Sequence, residues 1–124
     1  MAEAFAKQFL RVGEANIISA GIGAQNGQTA TGHAVNLMES RYKIDLSKHR
    51  SQNIAQLHLD GFTQIIGMDE PVGLFLQRNY PHLKRKILVW KIDDPYGTTE
   101  ESYQNCAAEI FAEVRDWSKT IRGL

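Results

Sequence analysis

Short β-branched runs alternate with amphipathic helical stretches along this chain, and that alternation most constrains its fold. The runs lie at residues 16–20, 63–68 and 86–90, and apolar residues recur at helical spacing in the segments around them. Strands that alternate with helices form βαβ units, which place parallel strands in one sheet and helices on its faces. We therefore predict a three-layer α/β fold with a short parallel sheet, formed by residues 1–124 as one domain.

The last predicted helix is the clearest element. Thr98 and Glu101 have the spacing of a capping box. Apolar residues then follow at helical intervals, namely Tyr103, Cys106, Ala107, Ile110, Phe111, Val114, Trp117 and Ile121. Three further helices are predicted over residues 2–10, from about Thr31, and from Asp69, where a proline in the first turn favours a helix start.

The composition excludes several classes of protein. Lys plus Arg and Asp plus Glu number 14 each, so the chain lacks the basic footprint of a nucleic-acid-binding protein. No apolar run is long enough to span a membrane. The single cysteine, Cys106, cannot form an internal disulfide, and no secretory leader is present, so we expect a reducing, cytoplasmic setting.

The segment after the first predicted strand is rich in glycine but lacks the spacing of a dinucleotide-binding loop. Gly21, Gly23 and Gly27 form G-x-G-x-x-x-G, which is one residue too long. We interpret it as a flexible loop and predict no cofactor. We also predict no metal site, because zinc sites need clustered ligands and the histidines are scattered, at His33, His49, His58 and His82.

A turn sequence follows the third predicted strand, at the edge where open α/β sheets bind ligands. Asp94, Pro95, Tyr96 and Gly97 have the pattern of a type I turn, which by itself accounts for these residues. Pro95 also favours an extended conformation at Asp94, which would project the carboxyl group over the sheet edge. Asp94 is therefore a candidate proton donor.

Several segments, in their order and spacing, carry a resemblance to one enzyme family. They are Met1–Phe5, Ile18–Gly21, Ile44–Arg50, Met68–Glu70 and Asp94–Tyr96, the last followed by a long helix that carries Tyr103–Cys106. Together they resemble the low-molecular-weight protein tyrosine phosphatases, a family that includes related arsenate reductases. The resemblance covers essentially the whole chain. It implies a phosphotyrosine phosphatase I-like fold, and a phosphorylated protein or a small phosphate ester as substrate.

In that family a cysteine thiolate attacks phosphorus to form a phosphocysteine, while an arginine and backbone N–H groups bind the phosphoryl oxygens. An aspartate in an Asp-Pro loop protonates the leaving oxygen. The resemblance assigns this general-acid role to Asp94 and cleft positions to Asn26 and Tyr96. The family's Cys-x5-Arg loop and the central strand before it have no counterpart among the 124 residues, and Cys106 matches a non-catalytic position. We therefore expect the chain to be inactive as it stands.

Three hypotheses accommodate the missing loop. The chain is a truncated form of an active phosphatase in which Met1 is an internal methionine, or a non-catalytic relative that acts by binding or regulation, or an arsenate reductase relative. The third is disfavoured because that chemistry needs redox cysteines. As the sequence stands, the gap in the sheet must be closed either by direct pairing of residues 16–20 with 63–68 or by another chain, such as a second copy in a homo-oligomer.

Overall fold

The computed structural model describes residues 1–10, 16–92 and 99–122. Its helices and strands follow one another along the chain as α1 (Ala2–Phe9), α2 (Gly32–Tyr42), β1 (Ile65–Gly67), α3 (Glu70–Asn79), β2 (Ile87–Val89) and α4 (Glu100–Arg122). Short 3-10 turns lie at Ile54–Gln56, Leu59–Gly61 and Pro81–Lys86. The alternation of strands and helices predicted from residue 63 onward is therefore confirmed.

The described sheet contains two parallel strands, as the βαβ pattern predicted. Ile65, Ile66 and Gly67 pair in turn with Ile87, Leu88 and Val89. The prediction of a strand at residues 16–20 is wrong, because this segment forms no strand, and direct pairing with β1 is not observed either. The physical reason is that a strand needs a hydrogen-bonded neighbour, and the described part of the chain offers this segment none.

Helices cover both faces of the sheet, which confirms the three-layer arrangement. On one face the main core joins α1, α2 and α4, and Ile66 of β1 packs against it. On the other face Leu76 of α3 forms a second, smaller cluster with Leu59 and Leu83, and Ile65 packs against that one. Neighbouring residues of β1 thus contact opposite layers, as the alternation of side chains along a strand requires.

Helix α4 buries the stripe that its sequence predicts. Tyr103, Cys106, Ala107, Ile110 and Val114 are all buried in the main core. Thr98 of the predicted capping box lies outside the described residues, and Thr99 makes a cap-type bond by accepting from the backbone N–H of Ser102 at 3.2 Å. None of the helices in the described ranges combines the length and apolar character needed to cross a membrane.

Local side chains fix the starts of the two helices beside the sheet. Thr31 accepts a hydrogen bond from the backbone N–H of Ala34 at 3.3 Å, so α2 begins where it was predicted to. Asp69 accepts from the backbone N–H of Val72 at 2.9 Å and begins α3 directly after β1. This cap turns the chain at the carboxyl edge of the sheet, where a site is expected.

Candidate functional site

Backbone pairing continues beyond both strands toward the loop that was predicted to carry the acid. The N–H of Trp90 donates to the carbonyl oxygen of Gly67 at 2.8 Å, and that of Ile92 donates to Met68 at 3.0 Å. Trp90 and Ile92 are both buried, so the chain is anchored up to the residue that precedes the loop. Two of the predicted site residues, Asp94 and Tyr96, lie outside the described residues.

Asn26 is the predicted cleft residue that the structure describes, and its side chain braces a loop. The Asn26 Oδ1 atom accepts a hydrogen bond from the backbone N–H of Asn53 at 2.9 Å. Asn53 returns the contact, because its Nδ2 group donates to the carbonyl oxygen of Ala24 at 2.9 Å while its Oδ1 accepts from Ala55. The two asparagines therefore join the loop over residues 24–28 to the segment that begins the first 3-10 turn.

Ser51 fixes the same loop from a second point. Its carbonyl oxygen accepts from the N–H of Gly27 at 2.8 Å, and its own N–H donates to Gln28 at 2.9 Å. Its hydroxyl group donates to the carbonyl oxygen of Gln25. Gly27 has a φ of +83°, which a residue with a Cβ rarely adopts. The interpretation of this segment as a flexible loop therefore did not foresee that residues 51–53 hold it in place. Ser51 and Asn53 are residue types that commonly make such contacts with a loop backbone.

A polar cluster that the sequence reasoning missed surrounds Glu3 at the start of α1. The Ser19 hydroxyl donates to Glu3 Oε1 at 2.9 Å, Lys7 Nζ lies 3.2 Å from Oε2, and His49 Nδ1 lies 3.7 Å from that same oxygen. Burial acts to raise the pKa of Glu3, but the hydrogen bonds from Ser19 and Lys7 and the nearby positive charge outweigh it and lower the pKa. Three separate segments thus meet at one ionised carboxylate.

Cys106 lies in the main core, on the buried face of α4, with only 7% of its surface exposed. A thiol enclosed in the core is poorly placed to attack a phosphate ester, because the reactive species is a thiolate that the substrate can reach. Within the described ranges, no three His, Cys, Asp or Glu side chains lie close enough together to hold a metal ion. The His82 Nε2 atom lies 2.8 Å from Asp60 Oδ1, and Lys86 Nζ donates to the Asp60 carbonyl oxygen.

The fold is an α/β arrangement of helices around a short parallel sheet, and Ser51 and Asn53 hold the loop over residues 24–28. Residues 1–123 match the family described as low molecular weight phosphotyrosine protein phosphatase. The chain belongs to this family. That confirms the family to which the sequence segments pointed.

Individual relatives agree with this assignment. The chain is 30% identical to a probable low molecular weight protein-tyrosine-phosphatase EpsP of Ralstonia solanacearum, with 100% of this chain and 88% of the relative covered. A solved low molecular weight protein tyrosine phosphatase of T. tengcongensis is 27% identical and superposes with a TM-score of 0.84 over 99% of this chain and 88% of its own. The YwlE arginine phosphatase of Geobacillus stearothermophilus is 22% identical, with a TM-score of 0.89 over 98% and 83%, and shows the shared fold.

Proposed function

We propose that these 124 residues form the acid-bearing part of a phosphate-monoester-hydrolysing site and do not catalyse hydrolysis as they stand. The observation that carries this proposal is the position of Cys106, the only cysteine of the sequence, inside the helical core. Phosphoryl transfer to cysteine needs an exposed thiolate beside groups that bind the phosphoryl oxygens. Cys106 also lacks the family's arginine six positions later, where Ala112 stands.

In this proposal Asp94 protonates the leaving oxygen, and Tyr96 and Asn26 line the cleft. The braced loop over residues 24–28 supports the assignment of Asn26, because the two asparagine contacts hold that loop in one position. A phosphorylated protein or a small phosphate ester is the proposed ligand. A single cysteine suits a reducing, cytoplasmic compartment.

The first experiment measures turnover of p-nitrophenyl phosphate by the purified 124-residue chain and by its Cys106→Ala variant. We expect neither protein to exceed the rate in buffer alone. A control reaction with a phosphatase of this family establishes that the assay detects the chemistry. Turnover by the wild-type chain that disappears in Cys106→Ala would contradict the proposal directly.

The second experiment adds the strand and the phosphate-binding loop that the 124 residues do not contain. A strand and a Cys-x5-Arg loop of the family's pattern are joined in front of Met1, and we expect the fusion to hydrolyse the same ester. In the fusion, Asp94→Asn should lower kcat by about a hundredfold or more, the usual contribution of a general acid. A fusion whose loop carries serine in place of cysteine is the matched inactive control. Failure of the folded fusion to turn over substrate would favour the non-catalytic relative.

The fusion also separates two substrate classes that similar structures suggest. One similar structure is that of a low molecular weight protein tyrosine phosphatase, and another is that of an arginine phosphatase. We propose a phosphotyrosine-type ester for this chain, because the family is one of phosphotyrosine protein phosphatases and the sequence relative is a probable protein-tyrosine-phosphatase. Parallel assays with a phosphotyrosine peptide and a phosphoarginine peptide should give the higher kcat/KM for the former.

A further inference from the structure

A groove runs along the outer side of α3, where this helix lies beside β2. This α3 groove is open to solvent, has a volume of about 230 Å³ and is lined by Glu70, Gly73, Leu74, Gln77 and Val89. Leu74 is a large apolar residue, yet it is 51% exposed. Pockets for cofactors and drug-sized ligands are usually about 300–1,000 Å³. The α3 groove therefore has room for one large side chain rather than for such a ligand.

The charges around the α3 groove differ from one end to the other. At one end Glu70 pairs with Lys91 at 3.1 Å, so opposite charges offset each other. At the other end α3 finishes and the chain turns into β2 through the last 3-10 turn. Three exposed cations form this basic end, namely Arg78, Lys84 and Arg85. No carboxylate in the described part of the chain forms an ion pair with any of them.

The sequence around the groove shows the same imbalance of charge. Residues 71–92 contain five Lys and Arg and no Asp or Glu, whereas the whole chain contains 14 of each kind. Asp60 does not offset the basic end, because its carboxylate contacts His82 and its carbonyl oxygen binds Lys86. A positive surface that is not offset attracts anionic partners.

We propose that the α3 groove binds an extended, acidic segment of a protein partner. One large apolar side chain of the segment lies over Leu74 and Val89, and its carboxylates lie beside the basic end. The apolar contact contributes affinity, and the charges fix the direction of the segment. A nucleic acid fits less well, because the chain has no net charge and the cations occupy one end of the groove alone. The binding requires neither a nucleophile nor a phosphorylated ligand, so it succeeds or fails separately from the hydrolytic proposal.

Fluorescence anisotropy with labelled peptides of about nine residues tests the proposal, since about five extended residues span a helix of the length of α3. One peptide has a central leucine followed by three glutamates, and the other has the reversed sequence. We expect one of them to bind the 124-residue chain. Replacing its glutamates by glutamine, or its leucine by serine, should weaken binding about tenfold. Binding of neither peptide, or equal binding after either replacement, would overturn the proposal.

Two double variants of equal net charge separate the basic end from charge in general. Lys84→Gln combined with Arg85→Gln removes two cations of the groove and should weaken binding about tenfold. Lys48→Gln combined with Lys119→Gln is the matched control and should leave binding nearly unchanged. Lys119 lies on α4 and Lys48 follows α2, and both of these helices cover the other face of the sheet. Equal weakening by the two double variants would contradict a specific site.

A pair of leucine variants tests the apolar contact. Leu74 and Leu88 are both exposed. Leu88 pairs with Ile66, whose side chain packs against the main core, so Leu88 lies on the face of the sheet opposite α3. Leu74→Ala should weaken binding about fivefold, while Leu88→Ala should not. The reverse result would place the peptide on the wrong face and refute the proposal.

Amide chemical shifts of the wild-type chain locate the peptide without any substitution. The signals of Leu74, Gln77 and Val89 should move on binding, and that of Val35 on α2 should not. The same shifts on raising the protein concentration alone would identify a second copy of the chain as the occupant and overturn the proposal. An oligodeoxynucleotide that displaces the peptide with equal affinity would identify a general anion site, which would also overturn it.

Discussion

Glu3 shows how one carboxylate can connect distant parts of a chain. It sits on α1, yet its partners Ser19 and His49 come from two other segments. Only 17% of its side chain is exposed, so its ionised form depends on these partners and on Lys7 for stabilisation. The net result is a pKa below the usual glutamate value of 4.5.

A lowered pKa in the folded state makes stability depend on pH. The Glu3 contribution is complete above pH 4.5 and is lost as the pH falls through the lower pKa of the folded protein. We expect Ser19→Ala to reduce the free energy of unfolding by about 1 kcal/mol at pH 7, the usual net value of such a hydrogen bond. The deficit should shrink as Glu3 becomes protonated.

Urea unfolding of the wild type and Ser19→Ala at pH 7, 5 and 3 measures this dependence. Ser40→Ala is the control, because the Ser40 hydroxyl donates to a backbone carbonyl of its own helix and has no carboxylate partner among the residues that the structure describes. Its deficit should stay constant with pH. The same constant deficit in Ser19→Ala would show that the contact does not depend on the charge of Glu3.

At the scale of elements, the close approach of α3 to the sheet depends on Gly73. A Cβ atom built at this position would lie 2.6 Å and 2.8 Å from the two methyl groups of Val89 on β2. These distances are shorter than real contacts, and the β-branched valine cannot rotate freely to relieve them. The helix therefore packs against β2 at the distance that only a residue without a side chain allows.

We expect Gly73→Ala to destabilise the protein by about 1–3 kcal/mol, the range for overpacking, despite the better helix propensity of alanine. Gly32→Ala at the start of α2 is the matched control, since a Cβ there meets nothing within 4 Å. Urea unfolding compares the two. Adding Val89→Ala should recover part of the loss in Gly73→Ala, and a simple sum of the two single effects would refute the proposed clash.

The elements divide into those that local sequence specifies and those that it does not. The caps at Thr31 and Asp69 and the stripe of α4 depend on residues three or four positions apart, so they can be predicted from the sequence. The strand predicted at residues 16–20 depends on a partner strand that no local pattern provides. The braced loop is similar, because Asn26 meets Asn53 through a contact between segments that are distant in sequence.

The candidate site also combines features that can be predicted from the sequence with features that cannot. The parallel pairing of β1 and β2 could be predicted from the βαβ pattern, and the family from the order of short segments. The polar cluster around Glu3 could not, because its members come from three parts of the chain. Outside the site, the burial of Ser118 on α4 was also not predicted; its hydroxyl donates to the carbonyl oxygen of Arg115 at 2.7 Å, which satisfies the group locally.

At the scale of the whole molecule, one helix holds the main layer together. Ile110 and Val114 of α4 lie in the same core as Phe5 of α1 and Leu37 of α2. Cys106 lies within this helical layer rather than at the sheet edge. A reagent can therefore reach its thiol only when the layer opens, which makes Cys106 a reporter of the stability of the fold as a whole.

We expect the reaction of Cys106 with a disulfide reagent such as Ellman's reagent to follow global unfolding. Val114→Ala removes buried methyl groups beside α1 and should cost about 1–3 kcal/mol. If global opening limits the reaction, its rate should rise about tenfold for each 1.4 kcal/mol lost. Leu74→Ala, at a residue 51% exposed, is the control and should leave the rate nearly unchanged. If the Cys106 thiol reacted equally fast in Val114→Ala and in the wild type, local motion rather than global unfolding would expose it. That outcome would contradict the argument that burial keeps Cys106 out of phosphoryl transfer.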